Sequence, residues 1–533
     1  MKILACNPGH DGAAVWLVDG QLVFSREAEK DSNARYAALG EQHIAVALEA
    51  LGDTPDVFCM GGYGLNESPL TKTYPHVGYR GIDPAGIAVG QREILGRSLP
   101  YFSSTHERSH LLCAFGLSGL PKGTPCYVLV WEGVIGSFYE IDEAFNFTLL
   151  GDVLSQPGIR YASVYGLADP TFPKDRAIAR FGDAGKLMAL ASYATRNQTT
   201  AGEEDFLTYL MSAPVVRLDH YPGIERAPHY NVGVEDPEFR NFAGIASDRI
   251  FDTFYRFAEA NLHKRLPLLI AGGCGLNCDW NSKWAASGLF PQVFVPPVAN
   301  DSGSAIGTAI DAQWHFTGDP TIRWDVYAGD AFDSSGAIKR DHYDIIDGGP
   351  EQVAELLARG LILCWVNGRY EIGPRALGNR SILAAPFTDA TRERLNVIKR
   401  REQFRPIAPV CLEDEAARWF GCHAPSPHML YTFTATTDAL RAVTHVNGSA
   451  RIQTVSKASN APMFDLLTAF KARTGYGVLC NTSLNFNGKG FINRIDDLDR
   501  YVRRRELDGF VLEGRAYLRR DAEAVKALAP PAQ

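Results

Sequence analysis

Short apolar runs separated by turn residues open the chain. Ile3 to Cys6 is followed by Asn7-Pro8-Gly9-His10-Asp11-Gly12, and Ala13 to Val18 runs into Asp19-Gly20 before Leu22 to Phe24. Apolar runs of this length closed by Gly and Asp predict strands, and Asp-Gly between two of them predicts a hairpin. The same order recurs at Cys126 to Trp131, Glu132-Gly133 and Ser137 to Ile141. Two such openings predict a duplicated architecture of two lobes. Helical spacing of apolar positions falls at Gln42 to Leu51, His106 to Leu117 and Asp248 to Lys264. The last of these leads into an apolar run, Leu266 to Ala271, and then Gly272-Gly273. From Phe316 to Pro350 the chain turns polar and irregular, closing on Gly348-Gly349-Pro350, which predicts a domain boundary. Beyond it lie a helix over Glu351 to Ala358 and a further set of strands.

Composition narrows the class. The 533 residues are 46% hydrophobic and 21% charged, as in a soluble globular enzyme of several domains. The net charge of −8 argues against a nucleic-acid partner, which would call for a broad basic face. No apolar stretch approaches the ~20 residues of a membrane helix, so no membrane partner is expected. The N-terminus enters its first strand without a basic or apolar leader, which predicts a cytoplasmic protein whose ten cysteines are reduced thiols. Cys274 and Cys278 could form half of a zinc site, but no second pair stands at matching distance.

Candidate chemistry clusters in two regions. Gly9-His10-Asp11-Gly12 lies between strands, where small residues let backbone N–H groups approach an anion and His10 and Asp11 project into the same space. An ordinary hairpin turn is the competing reading. Gly272-Gly273 with Leu276-Asn277 has the form of a strand-to-helix turn that receives a nucleotide. His106-Glu107-Arg108-Ser109-His110 places two histidines at i and i+4, on one helix face, where both can meet one metal ion. The run is a literal H-E-x-x-H, the zinc-protease pattern, although no third ligand follows shortly downstream. Asp301, before a small-residue helix start, is a candidate third ligand. In the C-terminal part, Gly368 to Ser381 carries Arg369, Arg375 and Arg380 on a glycine-rich loop, and guanidinium groups recognise planar oxyanions. Asn396, Lys399, Arg405, Arg451 and Asn481 to Asn485 follow. Arg405 borders an apolar stretch, where a buried arginine needs an anion. Arg400 and Arg401 read as an ordinary helix surface.

Five segments, in order, carry a family resemblance: Asn-Pro-Gly-His-Asp-Gly-Ala, His-x-x-x-His, Gly-Lys-Leu-Met-Ala-Leu-Ala, Gly-Gly-x-x-Leu-Asn-Cys and Asn-Asp-Ser-Gly-Ser-Ala-Ile-Gly-Thr-Ala. Together they resemble the O-carbamoyltransferases of antibiotic and nodulation-factor biosynthesis over essentially the full chain. Asp183 to Ala191 and Gly272 to Asn281 are most similar to the cephem and bleomycin-type members. The resemblance implies an α/β protein with an actin-like (ASKHA) two-lobed domain over residues 1–340 and a YrdC-like domain over 350–533. It implies Fe2+, or another divalent metal, held by His106, His110 and Asp301 with a nucleotide phosphate. Trp131-Glu132-Gly133 departs from the family, many of whose members have Asp-Gly there.

Further expectations follow from the same family. Lys186, Gly272, Gly273 and Asn277 would contact nucleotide at the N-terminal site. Arg375, Arg380, Lys399, Arg405, Arg451, Asn481, Ser483 and Asn485 would bind carbamoyl phosphate and ATP, with Mg2+ accompanying the nucleotide. Carbamoyl adenylate and pyrophosphate would form there, and the carbamoyl group would pass to a small-molecule alcohol, a secondary metabolite or sugar intermediate. His10 is the first choice for the base that takes the alcohol proton, with Asp11 or Asp183 as partner or substitute. The resemblance displaces the protease reading. A threonylcarbamoyl-type tRNA-modifying enzyme shares both modules but calls for basic surface. A hydrogenase-maturation carbamoyltransferase would add an acylphosphatase-like segment and paired zinc-finger cysteines, and a non-catalytic actin-like regulator would not need the C-terminal arginines. A homodimer is left open.

Overall fold

The computed structural model describes residues 1–527 except 33, 65–67, 177–178 and 487, and its fold is mixed α/β. The chain forms two compact units that are not contiguous in sequence. One takes Met1–Gly78, Ala88–Ser103 and the chain from Ile322 onward; the other takes Tyr79–Ile87 and Ser104–Thr321.

The first unit begins with a six-stranded sheet. Its strands are β1 (Lys2–Asn7), β2 (Ala13–Val18), β3 (Gln21–Glu27), β4 (Val57–Gly61), β5 (Ala88–Ile94) and β6 (Arg97–Ser104), in the order β3-β2-β1-β4-β6-β5. The Asp19-Gly20 turn joining β2 to β3 has φ of 47° and 73°. Two positive φ values suit the right-handed twist of a hairpin, and Asp-Gly supplies them at little cost. β1 pairs antiparallel with β2 and parallel with β4. Helix Glu41–Leu51 packs Ile44, Ala47 and Leu48 against Leu4, Cys6 and Phe58.

An eight-stranded sheet in the same unit runs in space through Tyr343–Asp347, Arg515–Arg519, Gly509–Leu512, Leu363–Val366, Arg380–Ala384, Val478–Ser483, Ala408–Leu412 and Gln453–Val455. Helices Asp389–Lys399 and Ile495–Arg504 bury one face through Leu395, Ile398, Leu498 and Val502. Helices Pro350–Ala358 and Ala461–Thr474 bury the other through Leu356, Leu357, Leu466 and Phe470. All eight strands lie beyond residue 342, the first of them, Tyr343–Asp347, within the boundary expected at 340–350. The compact units divide the chain differently, because the first hairpin is bolted to the C-terminal part. Lys30, 2% exposed, donates to Glu27 Oε1 (2.7 Å) and to the carbonyls of Glu371 (2.7 Å) and Gly373 (2.9 Å). Arg26 forks onto Asp330 at 2.8 and 3.0 Å.

The second unit is built on a five-stranded sheet of β7 (Cys126–Trp131), β8 (Gly136–Ile141), β9 (Phe147–Asp152), β10 (Leu268–Ala271) and β11 (Val293–Phe294), ordered β11-β10-β7-β8-β9. Counted from its own first strand, this is third-second-first-fourth with the first and fourth parallel, as in β3-β2-β1-β4. The duplication predicted from the two hairpin openings is present as this repeated strand order. One helix is longer at its start than expected: Pro237–Asn261 begins at a capping Asp236 with Pro at its first position, a start signal stronger than the aromatic spacing downstream. Among the described residues no helix is long and apolar enough to cross a membrane.

Helices His106–Ser118 and Ser302–Thr317 lie against each other in this unit. Their approach is close because Gly307 faces Ser109: a Cβ at 307 would stand 1.7 Å from the Ser109 carbonyl oxygen. Arg108 forks onto Asp311 at 2.9 and 2.7 Å, both fully buried, and Ser109 Oγ meets Thr308 Oγ1 at 2.8 Å. Gly307→Ala must therefore push the helices apart. It should cost about 1–3 kcal/mol, seen as a melting temperature lowered by several degrees with the far-UV circular dichroism of the folded protein preserved.

Candidate functional site

Thr105 caps the helix that starts at His106, its hydroxyl accepting from Arg108 N at 3.2 Å. The cap fixes where the helix begins, and i, i+4 spacing then brings both imidazoles to one face. His106 Nε2 and His110 Nε2 are 3.1 Å apart. Asp301, at the start of the facing helix, places Oδ1 3.6 Å from His106 Nε2 and 3.4 Å from His110 Nε2. Glu132, at the end of β7, brings Oε2 to 3.7 Å from His106 Nε2. The four donor atoms lie within 4.8 Å of one another and all four residues are buried.

Donors about 2.1 Å from one ion at angles near 90–110° stand roughly 3.0–3.5 Å apart. The observed separations are within a few tenths of an ångström of that. Two buried carboxylates this close to each other need a cation, and with two neutral imidazoles their summed charge matches a divalent metal. Burial pushes the Glu132 carboxyl up, but the hydrogen bond and attraction of His106 outweigh it and hold the group below its ordinary value. The three candidate ligands expected from the sequence thus come together, and Glu132 joins them as a fourth candidate. Its signal in the sequence was a carboxylate closing a buried strand before glycine.

Glu107 faces elsewhere. It accepts from Gly81 N (2.6 Å), Arg80 Nη1 (3.1 Å) and the Tyr139 hydroxyl, so the middle residue of the H-E-x-x-H run is a structural anchor. Gly272, at φ 95°, allows β10 to pass β7: a Cβ there would lie 2.4 Å from the Trp131 carbonyl and 2.8 Å from Glu132 Cβ. Gly272 therefore makes room for Glu132, whereas Gly273 has nothing within 4 Å of its own Cβ position. Asn277, expected to contact nucleotide, uses Oδ1 to cap the next helix, accepting from Asp279 N (3.1 Å) and Trp280 N (3.3 Å). Asp183 accepts from Arg180 Nε (2.8 Å) and Lys186 Nζ (3.2 Å). Two cations hold Asp183, which suits an anchor better than the alternative base it was taken for, and Lys186 serves that pair. No cysteine joins a metal-binding group among the described residues: Cys274 and Cys278 are buried thiols that donate to the Glu132 and Leu276 carbonyls.

In the first unit, Asn7 Nδ2 donates to the carbonyls of His10 (3.3 Å) and Asp11 (3.5 Å), shaping the loop between β1 and β2. Gly9 is obligatory there because a Cβ would enter the Tyr63 ring at 2.1 Å. His10 Nδ1 lies 3.1 Å from Asp11 Oδ2. With Nδ1–H donating to that carboxylate, Nε2 keeps its lone pair, the arrangement of an oriented base.

At the end of strand Val478–Ser483, a cationic group assembles. Lys399, the last residue of its helix, is 6% exposed; its ammonium bonds the Ser483 carbonyl, Ser483 Oγ (3.3 Å), the Asn485 carbonyl (3.2 Å) and Asn485 Oδ1. Burial, then the charges of Arg401 and Arg405, drive its pKa well below the ordinary lysine value. Arg401 donates to Asn396 Oδ1 (2.7 Å) and the Pro406 carbonyl (3.2 Å). Burial, Arg405 and Arg451 press it down to about 9. Arg405 Nη1 lies 3.9 Å from Glu402 Oε2. Positive charge concentrated in this way would suit an anion.

Sequence reasoning brought Lys399, Arg405, Arg451, Ser483 and Asn485 to this group but assigned Arg401 to open surface. The structure corrects that: the chain leaves the helix through Arg400 at φ 48°, which turns Arg401 inward while Arg400 stays exposed. Arg380 is a second correction. Fully buried, it spends its guanidinium on Asn493 Oδ1 and the carbonyls of Asn367, Gly368 and Asn379, and so clamps the glycine-rich loop. Arg375 sits half-buried on that loop. Asn481 braces it, donating to Gln453 Oε1 (2.9 Å) and the Ala376 carbonyl (3.2 Å).

Comparison with known proteins is decisive about kinship. Residues 245–310 match the model for the carbamoyltransferase N-terminus and residues 354–519 that for the carbamoyltransferase C-terminus. A 3'-hydroxymethylcephem-O-carbamoyltransferase of Amycolatopsis lactamdurans is 44% identical over 97% of this chain and 99% of its own length. Its counterpart in Streptomyces clavuligerus is 43% identical over the same shares. Nodulation protein U of Rhizobium tropici is 32% identical over 92% of each. Among solved structures, an archaeal actin homolog in complex with ADP aligns at 12% identity over 59% of this chain and 99% of its own, with a TM-score of 0.30, too low to bear on fold.

The four-residue cluster should hold about one divalent ion per chain, counted by elemental mass spectrometry after dialysis. Glu132→Gln should weaken retention on the order of 10- to 100-fold, and a His106→Ala/His110→Ala double variant should retain none. Full metal content in the double variant would remove these residues as ligands.

Proposed function

Because the chain belongs to the carbamoyltransferase family and is an enzyme of that kind, we propose that it is an ATP-dependent O-carbamoyltransferase that draws on carbamoyl phosphate and modifies a hydroxymethyl group of a small molecule. The acceptor class is taken from the names of the cephem-modifying relatives. One observation carries the reading: a single chain holds two centres of opposite sign, the buried His106-His110-Glu132-Asp301 cluster and the Lys399-Arg401-Arg405-Arg451 group gathered around the buried Lys399. The repeated third-second-first-fourth strand order supports an actin-like architecture for the N-terminal part. A YrdC-like identity for the C-terminal part rests on the motifs alone.

The chemistry divides between the centres. At the cationic group, water displaces phosphate from carbamoyl phosphate, and the carbamate oxygen attacks the α-phosphorus of ATP. Pyrophosphate leaves and carbamoyl adenylate remains. Lys399, Arg401 and Arg405 neutralise the phosphate oxygens as charge builds on them, and Ser483 and Asn485 hold the Lys399 ammonium in place. In the transfer step, the acceptor alcohol oxygen attacks the carbamoyl carbon and AMP leaves. His10 Nε2 takes the alcohol proton, with Asp11 steadying the imidazolium. A metal bound by His106, His110, Glu132 and Asp301 would supply a Lewis acid for nucleotide phosphate oxygens. Asp301 and Glu132 would hold that ion while leaving its remaining positions to substrate.

The half-reactions are separable. Purified protein should release pyrophosphate from ATP only when carbamoyl phosphate is present, and Lys399→Ala or Arg401→Ala should lower that rate at least ~100-fold. His10→Ala should leave pyrophosphate release within a few-fold of the parent while slowing product formation by about 10²–10⁴. Loss of pyrophosphate release in His10→Ala, with transfer from supplied adenylate intact, would reverse the two assignments.

A further inference from the structure

The metal-ligand cluster has a neighbour that no sequence motif announces. Tyr79 begins the segment Tyr79–Ile87 of the second unit, and its hydroxyl lies 2.9 Å from Glu132 Oε1 and 2.8 Å from Glu132 Oε2. Its ring stacks on the His106 imidazole, centroids 4.3 Å apart and planes inclined at 23°. One side chain thus touches two of the four ligands by two different interactions. Ile135 N also donates to Glu132 Oε1, at 3.0 Å.

We propose that Tyr79 is a positioning residue for the metal, setting the orientation of the Glu132 carboxylate through its hydroxyl and the plane of the His106 ring through its own. The proposal rests on the reading of His106, His110, Glu132 and Asp301 as metal ligands. A glutamate has one more rotatable bond than an aspartate, so a glutamate ligand reaches the ion in several poses unless its head is tied. A phenol proton shared between the two carboxylate oxygens ties the head and leaves the lone pairs on the other side for the ion. The stacked ring removes rotation of His106 about its ring bond, so that Nε2 stays aimed at Asp301 and His110. Both restraints lower the entropy lost when metal binds.

The experiment uses the full-length protein, stripped of metal and titrated with Co2+ alone against a chromophoric chelator. Tyr79→Phe keeps the stacked ring and loses the hydroxyl; it should raise the Co2+ dissociation constant about 10-fold or more and shift the visible d–d bands. Tyr79→Leu loses both interactions and should raise it further. Metal-free Tyr79→Phe should keep the far-UV circular dichroism of the folded parent, so that the weakened Co2+ binding reports on the site. A Tyr79→Phe dissociation constant within twofold of the parent, with unchanged bands, overturns the proposal. If the single variant folds poorly, a cycle with Glu132→Gln decides: loss of the Tyr79→Phe effect in that background supports the coupling, and simple additivity overturns it. Failure of the parent itself to bind Co2+ would instead remove the ligand reading on which the proposal stands.

Discussion

The contact between helices His106–Ser118 and Ser302–Thr317 governs the second unit. Gly307 lets Ser109 approach to a distance no side chain would permit, and the Arg108–Asp311 pair locks the crossing. Breaking a buried pair of this kind leaves an uncompensated charge and costs about 3–5 kcal/mol. The same crossing sets the first residue of one helix beside the start of the other, which is where His106, His110 and Asp301 meet. Packing and candidate chemistry here are one constraint: the residues that could hold a metal are in register because the helices cannot slide.

Charge is arranged on a similar principle in both units. In the second, two carboxylates are buried against two histidines, an excess of negative charge that matches a divalent cation. In the first, lysine and arginines gather where a strand ends, with Glu402 as a distant counter-charge. Like charges gathered in one place suit a ligand of opposite sign. By contrast, Arg380, Lys30 and Arg160 are buried with every direction taken by protein oxygens, and they act as bolts. Arg405 keeps a third of its side chain exposed, whereas Lys30 and Arg380 are enclosed.

Backbone geometry places the functional groups at the ends of strands. Glu132 closes β7, Ser483 and Asn485 end the strand Val478–Ser483, and His10 and Asp11 occupy the turn after β1. Strand ends expose side chains and backbone dipoles while the sheet holds them rigid. Glycine makes the approaches possible at Gly9, where Tyr63 lies over the turn, and at Gly272, where β10 passes Trp131 and Glu132.

Local pattern by itself determined the strands of both hairpin openings, the helix bearing His106 and His110, the strand-to-helix turn at Gly272 and the presence of cationic residues after Gly368. These are short-range properties: apolar period, Asp-Gly turns and i, i+4 spacing depend on neighbours a few residues away. Tertiary structure decided the rest. Glu132 joined the candidate ligands because β7 ends beside a helix that begins 26 residues earlier in the chain, and Tyr79 reached it across 53 positions. Arg401 turned inward because Arg400 adopts a left-handed conformation, and Arg380 was spent on carbonyls that only the folded loop presents. Whether a charged side chain meets a ligand or a carbonyl depends on distant groups that share no periodicity with it, and the packing of whole elements is what brings them within a hydrogen bond's reach.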